Sequence, residues 1–243
     1  MELQGKTVLV TGGGSGIGLS IGLSLAKEGC RVALSGRTES KLRDGASLFK
    51  GQPAILTRAC DVSDRADVER MFEWVDAELG GLDILVNSAG INIPNRQIDQ
   101  LTPADWDSLI GINATGAFNC IFCALPEMRM RGGGLIVNIS SIAGKRAMKL
   151  GGAGYCAAKF AMSAMGTTIG LEERKNGIHV TNVYPGEVNT PILADRPTPV
   201  PPEKLAQMLM PEDIASVVVT IAKLPARALV PELVMTPLYQ EYS

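Results

Sequence analysis

The sequence predicts an α/β protein with a doubly wound parallel sheet, three layers deep, in a single domain over 1–243. Three observations carry that expectation. Short β-branched apolar runs alternate with helical segments along the whole chain, and strands separated by helices pair in parallel through right-handed crossovers. The strands are apolar almost without interruption, as strands covered on both faces are. A glycine cluster directly follows the first of them.

The elements follow in order. "KTVLVT" (6–11) is apolar and β-branched and reads as the first strand, and "LSIGLSLAKEG" (19–29) as the first helix. "RVALSG" (31–36) is the second strand, followed by the helical "ESKLRDGASLFK" (39–50). "AILTRA" (54–59) is the third strand. The helix "SDRADVERMFEWVDAEL" (63–79) follows, with Ser63 as its expected N-cap. "DILVNSAG" (83–90) is the fourth strand, and one long helix is expected from Pro103 to Arg131. "GLIVNIS" (134–140) is the fifth strand, ahead of a helix from Tyr155 to Lys175. "HVTNVYPG" (179–186) is the sixth strand. The Pro-rich stretch 191–202 has no period, so a surface loop serving as a substrate lid is expected around 190–210. A helix starts near Pro211, and "ALVPELVM" (228–235) closes the sheet. No linker or internal repeat divides the chain.

Composition removes several functional classes. The net charge is −2 with the two signs mixed, and no basic block suggests nucleic-acid binding. The start has too short an apolar run for a signal peptide, and no apolar stretch is expected to span a membrane. The five cysteines are an odd number in mostly apolar segments, which points to reduced thiols in a cytoplasmic protein. Cys120 and Cys123 form a CxxC inside "AFNCIFCAL", which reads as helix packing. The single His, His179, sits in an apolar strand without ligand partners, so no metal site is expected.

Three segments carry chemistry. "TGGGSGIG" joins the first strand to the first helix, with Gly12, Gly16 and Gly18 in a GxxxGxG pattern. Glycines there let the backbone approach a pyrophosphate, and the helix N-terminus offers N–H groups and a positive dipole end. This is how a Rossmann fold holds a dinucleotide. The second strand ends in Gly36 and Arg37. Many NAD-binding sheets place a carboxylate there for the ribose 2′-OH, whereas a guanidinium can fork a 2′-phosphate, so NADP(H) is preferred over NAD(H).

"YCAAK" places Tyr155 and Lys159 four residues apart, on one face of a helix. Free Tyr titrates near ~10 and free Lys near ~10.4. Bringing a phenol to ~7 requires roughly 4 kcal/mol, about what a cation ~4 Å away supplies at an effective dielectric near ~20. The pair is therefore expected to work as one acid/base group, with Lys159 lowering the pKa of Tyr155.

Six motifs, in order, resemble those of the short-chain dehydrogenase/reductase family. They are "TGGGSGIG", "DV" at Asp61 and Val62, "NSAG" at 87–90, "NISS" at 138–141, "YCAAK" and "YPGEVNT" at 184–190. Each falls at a strand's C-terminal end or an adjacent helix start, the edge where open α/β sheets bind ligands. The resemblance implies hydride transfer between NADP(H) and a carbonyl or secondary alcohol. It implies Tyr155 as catalytic acid/base, Lys159 as its partner and ribose ligand, and Ser141 on the substrate oxygen. Asn113, in "GINATG", is implied to hold a water of the proton relay. Cofactor contacts are implied at Gly12, Ser15, Gly16, Ile17, Gly18 and Arg37, and at Asp61 and Val62 near the adenine. Asn87, Ala89 and Gly90 would lie beneath the riboses, and Pro185, Gly186, Val188 and Thr190 around the nicotinamide carboxamide.

Two departures from the family pattern stand out. Ser141 and Tyr155 are 14 residues apart, one more than the commoner spacing, and the extra residue falls in "KRAMKLGGAG". The ending "VPELVMTPLYQEYS", with "PEDIASVV" before it, resembles NADP-dependent 3-hydroxy acid dehydrogenases and related aldehyde reductases. A small 3-hydroxy acid is therefore the implied substrate, with 3-oxoacyl compounds and simple aldehydes or ketones as alternatives. A dinucleotide-binding regulator without catalysis is the rival of another class. Asn92 to Arg96, Arg146 to Leu150, Glu187 and Ile192 to Pro202 are the candidate pocket. Arg146 or Arg196 would pair with a substrate carboxylate or stand as a solvated loop charge. The weakly charged "ATGAFNCIFCAL", with the family's habit, implies a homo-oligomer, dimer or tetramer. The tail, with Leu238, Tyr239 and Tyr242, would reach a neighbour or pack on its own sheet.

Overall fold

The computed structural model describes residues 2–241. Chain order runs β1 (Thr7–Thr11), α1 (Gly16–Lys27), β2 (Arg31–Gly36), α2 (Glu39–Ala46), β3 (Leu56–Ala59), α3 (Arg65–Leu79) and β4 (Ile84–Asn87). It continues through α4 (Pro103–Ile110), α5 (Gly116–Met130), β5 (Gly134–Ile139), α6 (Ala153–Glu172) and β6 (Ile178–Pro185), and ends with α7 (Pro202–Leu205), α8 (Pro211–Ala222) and β7 (Glu232–Met235). The strands form one parallel sheet in the order β3-β2-β1-β4-β5-β6-β7. The order reverses between β1 and β4, which opens the crevice where such sheets take ligands.

Alternation along each strand sends side chains to two cores. Val8 and Val10 join α1 and α8 through Ile21, Leu25, Ile214 and Val218. Leu9 faces the other way and joins α3, α5 and α6 through Val68, Ile121, Met165 and their neighbours. Both faces are thus covered, and this is why the strands read as continuous apolar runs. Cys120 is buried in the second core with Cys123 beside it, and the five cysteines are free.

The structure corrects several expectations. Asp64, not Ser63, caps α3, its carboxylate accepting from the N–H groups of Ala66 and Asp67. Ser63 instead donates to Asp61 through its hydroxyl and its backbone N–H. The long helix from Pro103 runs through to Met130 as expected, with a π turn inserted at Gly111–Thr115. Its start is a capping box between Thr102 and Asp105. An 18-residue window within Pro103–Met130 also reaches a mean hydropathy of 1.5, enough by composition to cross a membrane. Most of that window is buried inside the protein, so it is a core helix. The segment after β6 is not one irregular loop. It forms a 3₁₀ turn at Pro191–Asp195 and the short helix α7.

Candidate active site

The glycine turn builds one wall. Gly12 has φ +65°, and a Cβ there would lie 2.6 Å from the carbonyl oxygen of Ser88. A Cβ on Gly18 would lie 2.5 Å from the carbonyl oxygen of Gly12. No side chain fits at either place, so the backbone of the turn is bare. Thr11 ties this turn to the end of β4, its hydroxyl accepting from the N–H groups of Ser88 and Ala89 at 3.2 Å each. Ser15 caps α1 without a side-chain capping bond, and no acidic residue occupies the first turn. This is the donor-rich, anion-free helix start that a pyrophosphate needs.

The opposite wall comes from β5, α6 and β6. Ser141 follows β5, and its Oγ accepts from the N–H of Ala143 at 3.1 Å. Its hydroxyl lies close enough to the phenol of Tyr155 to favour the phenolate. Ser140 turns away, toward Ser163 Oγ at 3.0 Å. The longer Ser–Tyr spacing is absorbed by the loop ahead of α6, whose Met148, Leu150 and Gly151 border the cleft. Together these walls enclose about 320 Å³. Gly12, Ser15, Gly16, Ile17, Gly18, Gly90, Asn113, Ser141, Tyr155, Lys159, Pro185, Gly186, Val188 and Thr190 line it, as does Gln240 of the tail.

The expected acid/base pair meets with one difference. Lys159 Nζ lies 5.7 Å from the centroid of the Tyr155 ring and donates to the carbonyl of Ile139 at 2.9 Å. Burial pushes the phenol above its ordinary value, against the Ser141 hydroxyl that favours ionisation. Burial also weakens the ammonium, bringing Lys159 down to about 8. The expected depression of Tyr155 is therefore absent. Desolvation acts on both groups and, for the phenol, exceeds the help that the Ser141 hydroxyl and the Arg96 charge give to ionisation.

Asn113 sits in the π turn, a place where local backbone geometry often serves function. Its side-chain amide is fully engaged. Nδ2 donates to the carbonyls of Leu109 and Ile91 at 2.9 and 3.0 Å, and Oδ1 accepts from the N–H of Ile91 at 3.1 Å.

Five predicted residues do not line the cleft itself. Arg37 is exposed just beyond β2. Its charge acts on Asp61 after β3, where burial opposes ionisation, but Ser63 hydrogen bonds and Arg37 hold the carboxyl below its ordinary value. Val62 is buried beneath Gly116, and Ala89 lies behind the turn. Asn87 begins a chain of amides across the sheet. It donates to Asn138 at 3.0 Å, Asn138 donates to Asn182 at 3.0 Å, and Asn182 donates to the Ser163 carbonyl of α6 at 3.1 Å. These three asparagines are in register on β4, β5 and β6. Sequence reasoning missed the chain, although "LVN", "IVN" and "VTN" in three strands were its signal.

Neither arginine named for a substrate carboxylate is available for that task. Arg146 is exposed and outside the cleft lining. Arg196 lines the cleft but pairs with Glu187 at 2.8 Å.

A model of the short chain dehydrogenase family matches residues 6–200. The chain belongs to the short-chain dehydrogenase/reductase family. It is 34% identical to an uncharacterised oxidoreductase of Staphylococcus saprophyticus over 98% of this chain and 99% of that one. Three solved structures each superpose with a TM-score of 0.88. The first is an alcohol dehydrogenase from the archaeon Thermococcus sibiricus complexed with 5-hydroxy-NADP, at 26% identity over 98% of this chain and 99% of that one. The second is the closed form of a serine dehydrogenase with NADP⁺, at 28% identity over 98% and 97%. The third is a 3-ketoacyl-(acyl-carrier-protein) reductase from Brucella melitensis with NADH, at 26% identity over 96% and 98%. As a short-chain dehydrogenase/reductase, this chain is an oxidoreductase that uses a nicotinamide dinucleotide. The bare turn and the head of α1, whose N-cap Ser15 makes no side-chain capping bond, fit that group.

Proposed function

We propose that the chain interconverts a small 3-hydroxy acid and the corresponding oxo acid, with NADP(H) preferred over NAD(H). The observation that carries this is the meeting of Ser141, Tyr155 and Lys159 on one wall of a cleft whose other wall is the bare glycine turn. A bound nicotinamide dinucleotide supplies or accepts the hydride. The turn and the N–H groups of α1 would hold its pyrophosphate, and Lys159 would hold the ribose hydroxyls. Gly90 and the stretch Pro185–Thr190 shape the remaining floor, with Asp61 and Val62 at the adenine end. Arg37 favours a 2′-phosphate, because the end of β2 offers a guanidinium and no carboxylate.

At the reacting carbonyl, the Ser141 hydroxyl donates a hydrogen bond to the oxygen. Tyr155 donates its phenolic proton there as charge develops, a contribution typically of ~10²–10⁴ in rate. A phenol kept protonated by burial is the form this direction requires. Lys159 and a water on the main-chain carbonyl of Asn113 return the proton, since the Asn113 amide is already engaged. The serine dehydrogenase neighbour is named for serine, a 3-hydroxy compound, and the short ending after β7 resembles that of 3-hydroxy acid dehydrogenases.

The 3₁₀ turn and α7 form the lid over this site. Phe118 and Phe122 of α5 and Phe160 and Leu171 of α6 are exposed apolar residues and form the contact face of a homo-oligomer. The free thiols suit a reducing, cytoplasmic compartment.

The test follows NADPH absorbance with a panel of 3-oxo acids, aldehydes and ketones. Tyr155→Phe is expected to lower kcat at least ~100-fold with cofactor affinity within ~3-fold. Unchanged turnover in that variant would sink the mechanism, and no turnover of any carbonyl by the native chain would leave the regulator reading.

A further inference from the structure

We infer that Arg96 is the anion receptor of the cleft and that the substrate carries a carboxylate seated on it. This deepens the oxidoreductase reading and rests on it. Arg96 lies between β4 and α4, lines the cleft, and is only 4% exposed. Its bonds are all to neutral carbonyls. Nε donates to Ile93 at 2.6 Å, Nη1 to Leu150 at 3.2 Å, and Nη2 to Asp195. No carboxylate among the described residues forms an ion pair with it. Three of the five guanidinium N–H groups are used, so one remains on each terminal nitrogen.

The charges around it point the same way. Arg96, Lys159 and Arg196 are the cations lining the cleft, and Glu187 is its one carboxylate. Glu187 is already committed. It takes Arg196 at 2.8 Å, Lys204 at 3.1 Å and the Tyr239 hydroxyl at 2.5 Å. Lys159 serves the ribose end in the reading above. That leaves Arg96 as a buried cation without a close ion pair among the described residues, with the Asp195 carboxylate acting on it at longer range and Arg196 opposing it. Such burial is costly unless a counter-charge arrives, and a guanidinium takes a carboxylate through two parallel N–H bonds.

The position suits a substrate. The stem of Arg96 packs on Gly152, the N-cap of α6, where a Cβ would fall 2.8 Å from Arg96 Cβ and 3.1 Å from Cγ. Tyr155 follows on the first turn of that helix. Guanidinium and phenol are near enough to influence each other's ionisation. Met148, Leu150, Ile192 and Leu193 supply an apolar lining. A short oxo or hydroxy acid has the required parts, with a carbonyl for Tyr155, a few apolar carbons, and a carboxylate for Arg96.

The experiment has a binding arm and a turnover arm. The protein saturated with NADP⁺ is titrated calorimetrically with butanoate and with butanamide, its uncharged counterpart. Butanoate is expected to bind at least ~10-fold tighter. Arg96→Gln should erase that preference, Arg96→Lys should restore part of it, and Arg196→Gln should leave it within ~3-fold, because Arg196 is neutralised by Glu187. Melting curves of all three variants identify any that fail to fold, and Arg96→Lys keeps the charge if loss of the carbonyl clamp unfolds Arg96→Gln. In the turnover arm, NADPH oxidation is compared for 2-, 3- and 4-oxo acids and their methyl esters, and acids should be favoured at least ~10-fold in kcat/KM in one pair or more. Equal binding of butanoate and butanamide by the native protein, or an undiminished preference in folded Arg96→Gln, overturns the inference. Turnover of esters as fast as acids overturns it too and leaves the oxidoreductase reading intact. Failure to turn over any carbonyl strikes the oxidoreductase reading instead.

Discussion

Gly166→Ala is the sharpest perturbation available in this fold. Gly166 lies on α6 above the chain of amides that joins β4, β5 and β6. A Cβ there would stand 2.2 Å from Asn182 Oδ1 and 2.5 Å from Asn138 Nδ2. Those two atoms are themselves donor and acceptor of one hydrogen bond at 3.0 Å, so a methyl group would enter the bond itself. Either the amides separate or α6 lifts. Overpacking of this kind costs about 1–3 kcal/mol, and a buried amide left without its partner costs about 1–3 kcal/mol more. Replacing Gly by Ala inside a helix returns about 1 kcal/mol. The net expectation is a loss of roughly 1–5 kcal/mol, or about 2–20 °C in Tm for a domain of this size. Gly170→Ala is the control, one turn further along α6, where the nearest atom to a new Cβ is Val180 Cβ at 3.2 Å. It should stay within about 1 kcal/mol of the native protein. Because α6 also carries Tyr155 and Lys159, turnover of NADPH in Gly166→Ala should fall more than ~10-fold below its melting range. Thermal melts followed by circular dichroism, with the coupled absorbance assay, measure both. A Gly166→Ala protein that melts with the native protein or with Gly170→Ala would refute the reasoning.

Two further outcomes follow from charge. Burial lowers Lys159 to about 8, so between there and the ordinary amine range the folded chain binds fewer protons than the unfolded one. Lys159 therefore makes stability rise with pH across that window. An anionic dinucleotide beside Nζ raises the pKa again, so NADPH binding at about pH 8.5 should take up a fraction of a proton. Calorimetry in buffers of different ionisation enthalpy reads that uptake, and an equal uptake in Lys159→Met would rule out Lys159 as its source. Arg37→Glu should move the kcat/KM ratio toward NAD(H) by at least ~10-fold, since a carboxylate accepts from a ribose 2′-OH and repels a 2′-phosphate. A ratio that does not change would mean that Arg37 makes no contact with the phosphate.

The placement of Glu187 shows how tail and cleft join. Tyr239 donates its hydroxyl to Glu187, and Gln240 Oε1 accepts the Glu187 N–H at 2.9 Å. The tail after β7 thus closes one end of the cleft, while Leu238 beside it is fully exposed. Whatever was expected of Tyr242 lies outside the described residues.

What the sequence determined by itself is the frame and the reacting groups. Period and composition were enough for "KTVLVT" or "GLIVNIS", because a strand covered on both faces must be apolar throughout. The glycine turn and "YCAAK" could be read because their chemistry depends on residues close together in the chain. The tertiary structure alone decided the state of those groups. The direction of the Tyr155 shift depends on burial and on the Ser141 and Arg96 groups brought beside it from distant segments. The π turn at Gly111–Thr115 inside the long helix depends on packing that no local propensity encodes. Arg196 and Arg96 look alike in the sequence, yet one meets Glu187 and the other meets only carbonyls. Charge pairing is a property of distances between segments far apart in the chain, and those distances exist only once the sheet and its crossovers have formed.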